Sequence, residues 1–196
     1  MAICADHDGI PKRHDSEVDQ MARVTYIEED TTDNPVIRDA FERMRVKRGK
    51  VTNIYKAFAH KPEILSTMGP FVAAVQRPDE IDPRLKERII LRVSMLNRSA
   101  YCTHAHVQIS EKMGFSADEI SEMVDPSTAQ IDDAEKAALK YAEEMTLSPG
   151  DIQDRTFEDL ARHFSESQIV EITAIAALYN MINRFNEALK LDPEEY

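Results

Sequence analysis

A chain of 196 residues suffices for one domain, and a formal net charge of -12 (36 acidic against 24 basic side chains) opposes binding to nucleic acid or an anionic membrane surface. With 42% hydrophobic and 31% charged residues, five glycines and no sustained period-two alternation, the composition favours packed helices over a sandwich or barrel. The opening residues MAICADHDGIPKRH lack the basic start and apolar run of a secretory signal, and no eighteen consecutive residues are apolar, so the expected location is cytoplasmic.

Residues 1–33 are polar and rich in Asp, and read as a flexible or loosely docked acidic arm. A single helical domain is expected over residues 34–191. Asn34 and Pro35 supply an N-cap and a first-turn proline for a helix carrying Val36, Ile37, Ala40, Phe41 and Met44 and stopping near Gly49. A shorter helix runs from Thr52 to His60. Pro62 opens the next one, which Gly69 and Pro70 are expected to break or kink before Val75. The connector QRPDEIDP then leads into Arg84–Gly114, the stretch around which the rest is organised.

Beyond Gly114, Ser116 with Glu119 forms a capping box for a short helix ending at Asp125 and Pro126. Asp132 or Asp133 caps a helix through Ala137, Leu139, Ala142 and Met145, stopped by Ser148, Pro149 and Gly150. Phe157–Phe164 forms another. Ser165 and Gln168 repeat the capping box before the longest helix, whose stripe is Ile169, Ile172, Ile175, Ala176, Tyr179, Ile182, Phe185 and Leu189. Residues 192–196 read as a solvated tail.

Within the central stretch, Ile89–Leu96 is apolar around most of a helical wheel, the pattern of a helix enclosed by others, and Glu87 sits at its start. After Asn97 and Ser99 a second helix sets Cys102, Ala105, His106, Ile109 and Met113 on one stripe. With Ser99 as N-cap, Cys102 is the third helical residue, where free amides and the helix dipole favour a thiolate by about 0.3–1 kcal/mol. Burial opposes this, so a reactive Cys102 needs a base nearby. His106 lies one turn along, roughly 6 Å by helical rise, and Glu87 is placed to orient and charge it. Each residue alone also fits a structural part: a buried Cys as a small hydrophobe, a core His, a first-turn acid.

His104 points about 200° away from Cys102 on a helical wheel, so CTHAH is a poor metal cluster and no metal site is expected. No Gly-rich phosphate loop and no G-x-S-x-G occur, so a nucleotide cofactor and a serine triad are not indicated. Cys4 and Cys102 do not form a disulfide framework.

Glu87, Ser99, Cys102 and His106 have the spacing of Glu, first Cys, second Cys and His in the peroxidase branch of the carboxymuconolactone decarboxylase and alkylhydroperoxidase D-like superfamily, which the chain resembles from about Asn53 to the last helix. The resemblance implies an all-α multi-helix bundle assembling as a homo-oligomer, a trimer or hexamer, without cofactor. It implies peroxiredoxin-type attack on a hydroperoxide by Cys102, with His106 and Glu87 relaying protons. Ser99 replaces the first Cys, so a local dithiol cycle is absent and an external thiol, or Cys4, is the expected reductant.

The decarboxylase branch keeps the His without the C-x-x-C pair. That likeness implies a cofactor-independent lyase or isomerase acting on a small carboxylated or lactone compound, with His106 as acid or base and Cys102 as pocket wall. Ser99, Tyr101 and His104, together with Arg98, Tyr179, Asn183 and Arg184, are candidate substrate contacts. A third reading is a non-catalytic oligomeric binding protein.

Overall fold

The computed structural model describes residues 22–194, and among them all regular structure is helical. In α1 (Pro35–Arg48) the Asn34 side chain accepts the Val36 amide at 3.0 Å, Pro35 fills the first turn, and Gly49 closes the helix with φ of 77°. α2 (Asn53–Phe58) and α3 (Pro62–Gln76) follow. α4 (Pro83–Leu96) is capped by Asp82 and α5 (Ala100–Lys112) by Ser99. The remaining helices are α6 (Ala117–Ser121), α7 (Asp133–Leu147), α8 (Asp154–His163) and α9 (Glu166–Leu189). Both capping boxes close as their spacing predicts, Ser116 with Glu119 and Ser165 with Gln168. None of the described helices is long and apolar enough to cross a membrane.

The core is built around α4, which packs on α5, α7 and α9. Nine of its fourteen residues are buried, including Lys86, Glu87 and Arg88, so little of the helix faces solvent. Ile89, Leu91 and Val93 have no exposed surface, each contributing about 1.5–3 kcal/mol by burial. The facing stripe of α9 supplies Ile172, Ile175 and Ala176, also fully buried.

The connection between α4 and α5 decides where the chemistry goes. Asn97 ends α4, Arg98 takes a left-handed conformation with φ of 55°, and the Ser99 amide returns to the Ser94 carbonyl at 3.0 Å. This closure turns the chain back within two residues and leaves Ser99 extended, ready to cap α5. In the resulting hairpin the inner faces of α4 and α5 pack together, and Glu87 and His106 meet across them.

Three features differ from the sequence expectation. α3 is continuous through Gly69 and Pro70. No break occurs at Pro70, which lacks the amide that an interior position would use, and Leu65 before it and Val72 and Val75 after it are buried in the same core. At Gly69 an added Cβ would lie 3.2 Å from Met44 Cε, so the glycine lets α1 approach closely. Part of the acidic arm is docked: among residues 22–33, Ala22, Val24, Tyr26 and Ile27 pack on the core, and the Arg23 amide donates to the Leu189 carbonyl at 2.8 Å. Residues 1–21, with Cys4, lie outside the described residues. The tail is held as well, since Leu191 is buried, Tyr26 Oη donates to Asp192 at 3.0 Å, and Glu194 accepts the first amide of α2.

Candidate functional site

His106 Nδ1 and Glu87 Oε1 are 2.6 Å apart, both residues buried, and the Ser110 hydroxyl lies 3.4 Å from the same carboxylate oxygen. With Nδ1 donating to the carboxylate, Nε2 is the nitrogen left to take or give a proton. Asp82 caps α4 and no acid stands in its first turn, so Glu87 serves the imidazole and not the helix terminus. The Tyr179 ring meets the imidazole edge-on, centroids 5.0 Å apart, and its hydroxyl accepts a hydrogen bond from Gln76 Nε2. Burial, with Glu87 and then Cys102 adding to it, pushes the Tyr179 phenol well above its ordinary 10. It therefore stays neutral.

Cys102 is a free, buried thiol. Ser99 Oγ accepts the Cys102 amide at 3.4 Å, and Asn186 Nδ2, reaching across from α9, donates to Sγ at 3.2 Å. Burial is the largest influence and pushes the thiol from 9.0 up to about 11, while hydrogen bonds from Ser99 and Asn186 pull it down and Glu187 pushes it up. At neutral pH the resting side chain is a thiol, so the proton must leave as attack begins. The dipole of α5 is too weak to reverse this.

Cys102, His106 and Glu87 all line one cavity of about 400 Å³, within the usual range for small-molecule sites. The stripe expected from the sequence forms part of its wall, from Cys102 through Ala105, His106 and Ile109 to Met113. Tyr55, Phe58, Val72, Ile175 and Ile182 extend the apolar lining, and Arg48, Lys50, Thr52 and Gln76 bring polar groups to it. Among the described residues, no group of three or more His, Cys, Asp or Glu side chains is gathered to hold a metal.

Residues 62–144 match the model of the carboxymuconolactone decarboxylase family. The uncharacterized protein YnjA of Escherichia coli is 26% identical over 146 residues, covering 73% of this chain and 80% of YnjA. YdfG of Bacillus subtilis, also uncharacterized, is 29% identical over 115 residues, 58% of this chain and 78% of YdfG. The alkylhydroperoxidase AhpD core of a peroxidase-related protein from Ralstonia eutropha superposes with a TM-score of 0.75 at 24% identity, over 89% of this chain and 93% of that one. The debrominase Bmp8, in a cysteine-to-alanine variant bound to 2,3,4-tribromopyrrole, gives a TM-score of 0.76 at 25% identity, over 87% and 91%. Over residues 62–144 the chain is similar to the carboxymuconolactone decarboxylase family, and its fold is that of the alkylhydroperoxidase AhpD core.

The site departs from the sequence expectation in its substrate contacts. Ser99, Tyr101 and His104 are absent from the cavity wall. Ser99 is spent on capping α5, Tyr101 Oη donates to Glu194 at 3.2 Å, and His104 is exposed with its Nε2 2.8 Å from Gln108. Arg98 is an exposed turn residue, Asn183 Oδ1 accepts from Ser94, and Arg184 donates to the Asn180 carbonyl. Of those seven candidates, Tyr179 alone lines the cavity.

The sequence pattern does not single out Asn186, Thr52, Tyr55 or Gln76. For Asn186 the signal is its place in a row of three buried α9 asparagines, Asn180, Asn183 and Asn186, at helical spacing. Nothing local distinguishes the other three.

Proposed function

We propose that this protein is a cofactor-free thiol oxidoreductase of the peroxidase type, with Cys102 as nucleophile and His106 and Glu87 as its proton relay. The observation that carries the reading is the buried Glu87–His106 pair opening on the same cavity as Cys102. His106 Nε2 takes the thiol proton while Sγ attacks the terminal oxygen of a hydroperoxide and the O–O bond breaks. The departing alkoxide collects that proton from the imidazolium, so ROOH becomes ROH and Cys102 becomes a sulfenic acid. Asn186 Nδ2 is placed to donate to the sulfur as negative charge builds. One external thiol then forms a mixed disulfide with loss of water, and a second releases Cys102, so that two thiols are oxidised to a disulfide for each hydroperoxide reduced. Homo-oligomeric assembly and the thiol reductant belong to the same proposal.

A second reading rests on burial, which keeps Cys102 protonated. The same His106, backed by Glu87 and flanked by Tyr179, would act as acid or base in a cofactor-independent lyase or isomerase, with Cys102 part of the wall. Hydroperoxide turnover by Cys102→Ala protein, with intact mass of the wild type after one equivalent of peroxide, separates the two. The redox reading expects turnover to vanish and a gain of one oxygen at Cys102. Unaltered turnover in the variant would refute it.

A further inference from the structure

Most charged groups on the cavity wall are matched by an opposite charge. Lys86 meets Glu171 and also donates to the Val75 and Arg77 carbonyls, Lys50 lies 3.6 Å from Glu194, and Glu87 holds His106. Arg48 is different. Its Nη2 donates to Gln76 Oε1 at 3.2 Å and its guanidinium lies 5.9 Å from the centre of the Tyr55 ring, both neutral partners, and no carboxylate among the described residues pairs with it. Of the three basic side chains on the cavity wall, Arg48, Lys50 and Lys86, it is the one whose partners are neutral.

Beside it in sequence and on the same cavity wall, Thr52 occupies the N-cap of α2 without capping it. A threonine there ordinarily gives its oxygen to an amide of the first turn. Here the Tyr55 amide goes to the Thr52 carbonyl at 2.9 Å, and Thr52 Oγ1 is left buried with no partner, in a residue only 1% exposed. Leaving such a hydroxyl unbonded is costly, and a bound group at the cavity wall would satisfy it.

We propose that the α1–α2 corner of the cavity is a carboxylate site made by Arg48 and Thr52, and that the substrate is an apolar acid anchored there. The guanidinium offers paired N–H donors suited to a carboxylate and the Thr52 hydroxyl offers a third. Tyr55, Phe58, Val72, Ile175 and Ile182 then enclose an aliphatic or aromatic body. As a statement about substrate this rests on the thiol reading, and the substrate class becomes a hydroperoxide carrying a carboxylate. The anion site itself can be tested without turnover.

Isothermal calorimetry of the full chain with 4-phenylbutyrate and with the neutral 4-phenylbutyramide tests it. The expected result is at least about tenfold tighter binding of the acid. Arg48→Met should bring the acid-to-amide ratio to about one, and Thr52→Val should lower it by about threefold. Arg48 is exposed, so its replacement does not disturb the core, and circular dichroism verifies each variant. Equal affinity for acid and amide in the wild type overturns the proposal, as does a ratio that survives both substitutions. A charge preference without hydroperoxide turnover would sink the redox reading and leave the carboxylate site standing; turnover without a charge preference would do the reverse.

Discussion

On the side of α4 facing α6 and α7, charge is matched closely by charge. Arg84 and Arg88 converge on Glu119, Arg88 also reaches Glu135 at 3.1 Å, and Arg92 holds Glu143 together with the Met123 and Val124 carbonyls. On the cavity side Arg48 has only neutral partners and Thr52 Oγ1 is buried without one, while behind Cys102 the Asn186 Oδ1 is likewise unbonded. Among the described residues the ion-pair side leaves Arg88 Nη1, on a guanidinium whose other nitrogens are bonded, and Asn183 Nδ2 is unpartnered at the α4–α9 contact, away from both. The contrast separates polar groups that hold the helices together from polar groups arranged for something that enters. A satisfied network rigidifies the fold, whereas spare hydrogen-bonding capacity beside a cavity suits a ligand.

Breaking the relay on the cavity side should have the largest effect. His106→Gln is expected to slow hydroperoxide reduction about 100- to 10,000-fold, the usual range for removing a general base, with little loss of stability by denaturant melt. Steady-state kinetics would show the fall in kcat. On the opposite side, Arg88→Met strands Glu135 and removes one partner of Glu119. Urea unfolding should report a loss of about 3 kcal/mol, with far less effect on the Cys102 oxidation rate.

Acid and alkali should weaken the two sides in opposite directions. A hydrogen bond from Ser116, with Arg84 and Arg88, draws the Glu119 carboxyl from 4.5 down to about 2, so its contribution is present above pH about 4.5 and is lost as pH falls toward 2. Burial raises Cys102 from 9.0 to about 11, so stability falls as pH rises from 9 through 11, where the unfolded chain ionises first. Urea midpoints across both ranges check this. Glu119→Gln should flatten the acid limb and Cys102→Ala should lessen the alkaline loss.

The smallest effect is the most discriminating. In the ligand-free protein Thr52→Val removes a buried hydroxyl that has no partner, and is expected to stabilise by up to about 1 kcal/mol, read as a small rise in Tm. A comparable drop would show that the hydroxyl is bonded in solution and that the two sides of α4 are alike.

The sequence by itself determined the local structure. Helix starts at Asn34, Ser99, Ser116 and Ser165 are encoded by a capping side chain and the amides within three residues of it, and the stripes follow from the helical period. It also put the central pair within reach, because a short turn between two helices keeps the inner faces of α4 and α5 together, but the contact between Glu87 and His106 is seen only in the fold. Tertiary structure alone decided what lies across from them. Asn186 reaches Sγ because α9 packs on α5 at a particular rotation, and Glu194 reaches the first amide of α2 because the tail folds back. Ser99, Tyr101 and His104 are close to Cys102 along the chain but missing from the cavity wall, because successive residues of a helix point in different directions around its axis. Capping and periodicity act within a few residues, so they are written locally. The angle at which one helix meets another is set by the shape of the whole packed core, and no short stretch of sequence contains it.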